Sequence, residues 1–244
     1  MFERDIEWEL FDVRGNGEVA GLDFDIYIST GGPGSPLDGD GIWDARYYDL
    51  LTALWDWNKD PERPRKYVLY ICHSFQMACK HFGIGKILRR KSTSFGTFPV
   101  HMTDAGARED VFNGLPNPFY VADFRDWQVV QPDLDRIEEL GAEILALEKI
   151  RPHVPLERAI MGVRFSPEML AVQFHPEADP EGMLKHFSDP QRRATIIENH
   201  SERKYQEMTD HLGDPDKIAL THDLVIPQFL RAALEQLAAT PACV

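Results

Sequence analysis

One cysteine sits where a nucleophile would be of use. The run Tyr67-Val68-Leu69-Tyr70-Ile71 is apolar and of strand length, and it passes through Cys72 without a loop. The residues that follow, His73-Ser74-Phe75-Gln76-Met77, read as helix. A thiol at such a junction stands at the carboxyl end of a strand with its sulfur outward, as in a nucleophile elbow. The free N–H groups that open the helix favour a thiolate over a thiol. Amide hydrolysis by a thiolate also needs a proton shuttle, and a carboxylate to orient it. Ala171-Val172-Gln173-Phe174-His175-Pro176-Glu177 is a strand candidate that ends in both. Donors for a developing oxyanion are the third requirement. The strand candidate Asp23–Ser29 runs into Gly31-Gly32-Pro33-Gly34, where the lack of Cβ atoms lets backbone approach a substrate. Taken singly, each residue has a plainer reading. A free cysteine packs as a small core hydrophobe, a strand-end histidine as a hydrogen-bonded core residue, and a lone glutamate as a surface charge. The ordered set carries the chemical reading; His101 and His153 have no such context and read as structural.

The glycine turn, the Cys72 elbow and the His175-Pro176-Glu177 stretch together resemble the class I glutamine amidotransferase domain of the GMP synthase-like kind, over roughly residues 23 to 187. The resemblance implies a triad of Cys72, His175 and Glu177, with the backbone N–H groups of Gly32 and His73 as oxyanion donors. It implies substrate contacts from Gly31 and Gln76. It also points to Arg125, Asp126 and Trp127, which stand where the family holds substrate main-chain groups; there Arg125 would meet a carboxylate and Asp126 an amine. The implied reaction is hydrolysis of the glutamine side-chain amide through a cysteine thioester, giving glutamate and ammonia without metal or cofactor. Two features depart from the family. Tyr70 and Ser74 stand where the elbow usually has glycine, and a strand and helix that normally open the domain have no counterpart. Two alternatives therefore accompany the first reading: a stand-alone hydrolase of γ-glutamyl compounds, and a catalytically idle module that binds a ligand or partner. No Ser-Gly-Gly-x-Asp-Ser stretch or phosphate loop marks an ATP-using half, so an ammonia donor would serve a separate synthase partner. The other partner expected is a second copy of the chain, in a homodimer.

Composition narrows the classes. The chain has 244 residues, 40 acidic against 26 basic, for a formal charge of −14. Such a balance argues against gripping a nucleic-acid backbone, and Arg89-Arg90-Lys91 reads as an exposed turn. Three cysteines (Cys72, Cys79 and Cys243) form no disulfide framework and no zinc-type spacing. A reducing cytoplasm fits that usage. No apolar run is long enough to span a membrane, and Met1–Asp5 does not read as a signal peptide.

The remaining pattern predicts the scaffold. Residues 6–13 alternate and read as a strand, and residues 44–57 as a helix with Trp43, Tyr47, Leu50, Leu51, Leu54 and Trp55 on its core stripe. Strand candidates follow at 92–102, 119–124, 127–130 and 142–149, with a short helix from Asp133 to Leu140. Residues 159–165 and 169–174 form a hairpin that delivers His175. Residues 189–212 read as a charged, helical stretch and residues 224–237 as a second helical stretch. The fold class expected is α/β: three layers, a mostly parallel central sheet with helices on both faces, and a C-terminal helical extension. The amidotransferase-like domain is expected over 1–187 and the extension over 188–244, packed on the same domain.

Overall fold

The computed structural model describes residues 6–153 and 155–239; Cys243 lies outside them. Among the described residues, seven strands form one sheet: β1 (Ile26–Ser29), β2 (Tyr67–Ile71), β3 (Lys86–Met102), β4 (Phe119–Val130), β5 (Glu143–Glu148), β6 (Ile160–Ser166) and β7 (Met169–Val172). Their spatial order is β1-β2-β7-β6-β5-β3-β4. The helices are α1 (Trp43–Lys59), α2 (His73–Phe82), α3 (Leu134–Leu140), α4 (Pro180–Ser188), α5 (Pro190–Asn199), α6 (Glu202–Leu212) and α7 (Leu220–Ala239).

The α/β class and the three layers are as expected, but the sheet is mixed. Only the β1–β2 and β2–β7 pairings are parallel, and the four others are antiparallel. The parallel part is thus narrower than the resemblance implies, because hairpin-type pairings build the rest. The 119–124 and 127–130 candidates merge into the single strand β4, paired along its length with β3.

Each face of the sheet is covered by apolar side chains at the spacing its helices need. Trp43, Tyr47, Leu51 and Leu54 of α1 pack with Phe75, Met77, Ala78 and Phe82 of α2 on one face. On the other, Val225, Phe229 and Ala233 of α7 meet Leu69, Ile71, Leu170 and Val172. A third cluster joins α4, α5 and α6 through Phe187, Ile196, Tyr205, Met208 and Leu212, and lies against Phe95, Tyr120 and Phe124 of β3 and β4. The Thr221 hydroxyl of α7 donates to the Tyr120 carbonyl at 2.6 Å. No helix among the described residues is long and apolar enough to cross a membrane.

The strand expected at residues 6–13 is not formed. Ile6, Trp8 and Leu10 are exposed. The Asp12 carboxylate and carbonyl are taken up locally instead, accepting from the N–H groups of Gly15, Asn16 and Glu18. Alternation gives a strand only where a neighbouring ladder is there to pair it, and a local side-chain-to-backbone turn competes with that ladder.

Candidate active site

β2 ends and α2 begins on either side of Cys72, with no residue between. Cys72 carries φ 54° and ψ −101°, in the half of conformational space that L-residues avoid. Such a backbone costs roughly 1–3 kcal/mol and persists only where its surroundings over-determine it. Here they do. The Cys72 N–H donates to the Val172 carbonyl at 2.9 Å, and its carbonyl accepts from Gln76 N–H at 3.1 Å. Ser74 ties the turn from below: its hydroxyl accepts from Ile71 N–H at 2.8 Å and lies within donor reach of the Ser29 and Ile71 carbonyls. The Tyr47 hydroxyl closes this group at 2.7 Å from Ser29 Oγ.

Tyr70 also fits, and the sheet register shows how. Its neighbours across the two ladders are Ser29 on β1 and Ala171 on β7, both small. The ring is 1% exposed and packs edge-on against Phe165 at 6.3 Å.

His175 follows β7, whose other end leads back through the β6–β7 hairpin. Its backbone N–H donates to the Ala122 carbonyl of β4 at 3.0 Å, which ties the main chain beyond β7 to that strand. Nδ1 lies 2.7 Å from Glu177 Oε1. With that N–H committed, Nε2 is the nitrogen left for the thiol. Burial of the ring opposes its charge, but the hydrogen bonds it donates to Cys72 and Glu177, and the charges of both, outweigh it and push the imidazole up to about 10. The three residues expected as a triad are thus brought together.

Gly31 lies against the same pair. A Cβ there would sit 3.0 Å from His175 Cε1 and 3.2 Å from Cys72 Cβ, so any side chain would crowd the ring and the thiol. Gly32 lies further round the turn, where a Cβ would sit 3.0 Å from Arg14 Nη1. Arg14 donates to the Pro33 carbonyl and stacks its guanidinium over Trp43 at 5.3 Å. It fastens the glycine turn to α1. The sequence gives no sign of this, since the contact spans 19 residues and Arg14 reads locally as part of a turn. His73 opens α2, so its N–H has no intrahelical acceptor. Its ring is buried, and burial together with the nearby Arg14 charge holds the imidazole below its usual range.

The remaining expected contacts are differently placed. Gln76 is buried, and its amide donates to the Trp127 carbonyl at 3.1 Å and to Gln173 Oε1 at 3.0 Å. It braces the elbow against β4 and the residue two before His175. Trp127 enters through that carbonyl while its side chain packs in the α1–α2 layer. Asp126 is exposed and accepts from the Thr93 hydroxyl. Arg125 is not open to a ligand. Its side chain is 1% exposed, its Nε meets both Asp123 oxygens at 2.9 and 3.0 Å, and its Nη2 lies 3.5 Å from Glu148. At so buried a position, an arginine is tolerated only with such partners.

Residues 13–189 match the family described as glutamine amidotransferase class-I. The chain belongs to that family. Among solved structures, this family member is similar to a glutamine amidotransferase from Thermotoga maritima, at 16% identity and a TM-score of 0.62, covering 94% of this chain and 86% of that one. It is also similar to a putative GMP synthase subunit from Thermoplasma acidophilum, at 16% identity and a TM-score of 0.50, covering 89% and 75%. At these identities the likeness is one of fold. A homoserine O-acetyltransferase of Clostridium botulinum is 32% identical over 127 residues, 52% of this amidotransferase-family chain and 38% of that protein. The chain spans little more than a third of the length of the curated relatives it matches.

Proposed function

We propose that this class I amidotransferase domain hydrolyses the side-chain amide of glutamine, with Cys72 as nucleophile. The observation that carries the reading is the imidazole of His175 held between Cys72 and Glu177 beside a strained elbow. The Cys72 sulfur attacks the amide carbon, and the proton it gives up rests on His175 Nε2. Glu177 keeps Nδ1 protonated and favours the charged ring. The tetrahedral oxyanion is met by backbone N–H groups at Gly32 and His73. His175 then protonates the departing ammonia, leaving a glutamyl thioester. Water, deprotonated by the same nitrogen, releases glutamate. Gly31 shapes the wall on which the amide lies, and Gln76 braces the elbow behind it. A separate synthase chain would receive the ammonia; the likeness to a GMP synthase subunit supports such a partner.

A second reading keeps the thioester and changes what resolves it. The match to homoserine O-acetyltransferases favours an acyl group carried on Cys72 and passed to a hydroxyl rather than to water. The buried state of Arg125 suits this reading, because it removes the side chain expected to meet the glutamine carboxylate.

Glutamate release from glutamine separates the two. The wild-type protein should release it and Cys72→Ala should lose it. Release that survives Cys72→Ala unchanged overturns both readings. No release from glutamine, with Cys72-dependent acylation by an acyl thioester donor, favours the second.

A further inference from the structure

A cavity of about 430 Å³ lies away from the thiol. It lies between β3, the end of β5 and the α5–α6 turn, and Phe95 on its wall contacts Phe124, the ring beside His175. Its charge runs against that of the protein. In a chain of net −14, this wall carries Arg90, Lys149, Arg151 and Lys204 against Asp123 and Glu148. Both carboxylates are already taken. Glu148 accepts from Arg90 and from Arg151, each at 2.9 Å, and Asp123 accepts from buried Arg125 and from the Ser94 hydroxyl at 2.6 Å.

Lys149 and Lys204 are left over. Neither has a carboxylate within ion-pair distance among the described residues, and both ammonium groups approach one ring, Phe98, at 4.6 and 4.0 Å. The nearby acid Glu207 pairs with Arg203 at 3.8 Å. Burial holds both lysines below their usual range, and the Lys149 charge adds to the effect on Lys204. Two cations brought together in a partly buried space repel each other, so the arrangement is unfavourable unless something negative joins them. The backbone is shaped for it. Gly96 has φ 122°, and a Cβ there would come within 3.3 Å of Lys204 Nζ and Cε. The glycine gives the lysine its passage from α6 into the cavity. Arg125, whose Nη1 is buried without a partner, touches Asp123, Glu148 and Met161, all three on the wall.

We propose that this cavity binds the dianionic head of a small molecule, a phosphate monoester or a dicarboxylate, between Lys149 and Lys204. Arg151 and His200 line the remaining rim, and the Phe95 ring, already stacked on His200 at 4.7 Å, gives the ligand's body an aromatic wall. The site is built partly by α5 and α6, and it does not depend on what Cys72 does.

Pyrophosphate and malonate, each titrated into the full-length protein at constant ionic strength set by chloride, test it by calorimetry and by melting temperature. At least one should bind saturably and raise the melting temperature. Pyrophosphate alone assigns a phosphoryl ligand, and malonate alone a dicarboxylate. Lys204→Met should weaken binding about tenfold or more, the scale of one lost charge-assisted contact, and Lys204→Arg should retain it. Without anion, Lys204→Met should melt no lower than wild type, because a repulsion has been removed; a purely structural lysine would give the opposite. Should Lys204→Met fail to fold, Lys149→Met decides the question by the same readouts. Absence of saturable binding by either anion, or an undiminished response in the folded variants, overturns the proposal.

Discussion

The parallel and antiparallel halves of the sheet hold charge in opposite ways. At the β2–β7 edge, one imidazole stands between one thiol and one carboxylate, and Glu177 is 41% exposed. Among β3, β4 and β5, the Arg125, Asp123 and Glu148 side chains are almost fully enclosed, and Glu148 alone serves three arginines. The first arrangement has few partners and an open side, so its protons can move. In the second, each carboxylate meets at least two donors, so its charges hold strands together.

The largest effect should come from breaking the enclosed half. Arg125→Met leaves Asp123 buried with only the Ser94 hydroxyl. Removing one partner of a buried pair costs about 3–5 kcal/mol. The urea midpoint at neutral pH should fall accordingly. If the midpoint holds while KM for glutamine rises, Arg125 is a substrate ligand after all and the contrast between the halves fails.

Breaking the open half should do the reverse. Glu177→Gln should lower kcat/KM about a hundredfold, the lower end of what positioned acid–base groups contribute, yet change stability by less than about 1 kcal/mol, as expected of an exposed pair. The pH dependence sharpens this. His175 rises from 6.5 to about 10 on folding. The folded state therefore holds a proton that the unfolded chain has released between those values. Its stabilising share is complete below about pH 6.5 and is lost as pH climbs toward 10. In Glu177→Gln that decline should be shallower, because one of the two groups supporting the charge is gone. Urea midpoints from pH 6 to 10 for both proteins measure it.

The same contrast explains what the chain disclosed before folding. The elbow was legible because it is local: an apolar run, a cysteine and a helix in continuous sequence, with His175 and Glu177 two residues apart. The α1 stripe and the β6–β7 hairpin were legible for the same reason. Arg125 was not, because its fate is set by Asp123 on its own strand and by Glu148 at a distance no local pattern encodes. Arg14 was hidden likewise, its meaning fixed by a turn 19 residues on. The 6–13 segment misled in the other direction: its alternation is real, but a strand also needs a neighbour, and the Asp12 turn supplies a local alternative.

The smallest effect, and the most exact test of how the elbow is held, concerns Tyr70. Its ring fills space left by Ser29 and Ala171, but its hydroxyl is buried without a partner. The adjacent group of Ser29, Tyr47 and Ser74 satisfies its own hydroxyls and braces the turn. A buried polar atom with no hydrogen bond is a net cost, whereas the ring is a net gain. Tyr70→Phe keeps the ring and removes the cost, so it should raise stability by up to about 1 kcal/mol, with the proposed glutaminase activity unchanged. Thermal melting of the two proteins reads it. A loss of stability instead would show that the Tyr70 hydroxyl belongs to the Tyr47 group, and that the elbow is braced from two sides rather than one.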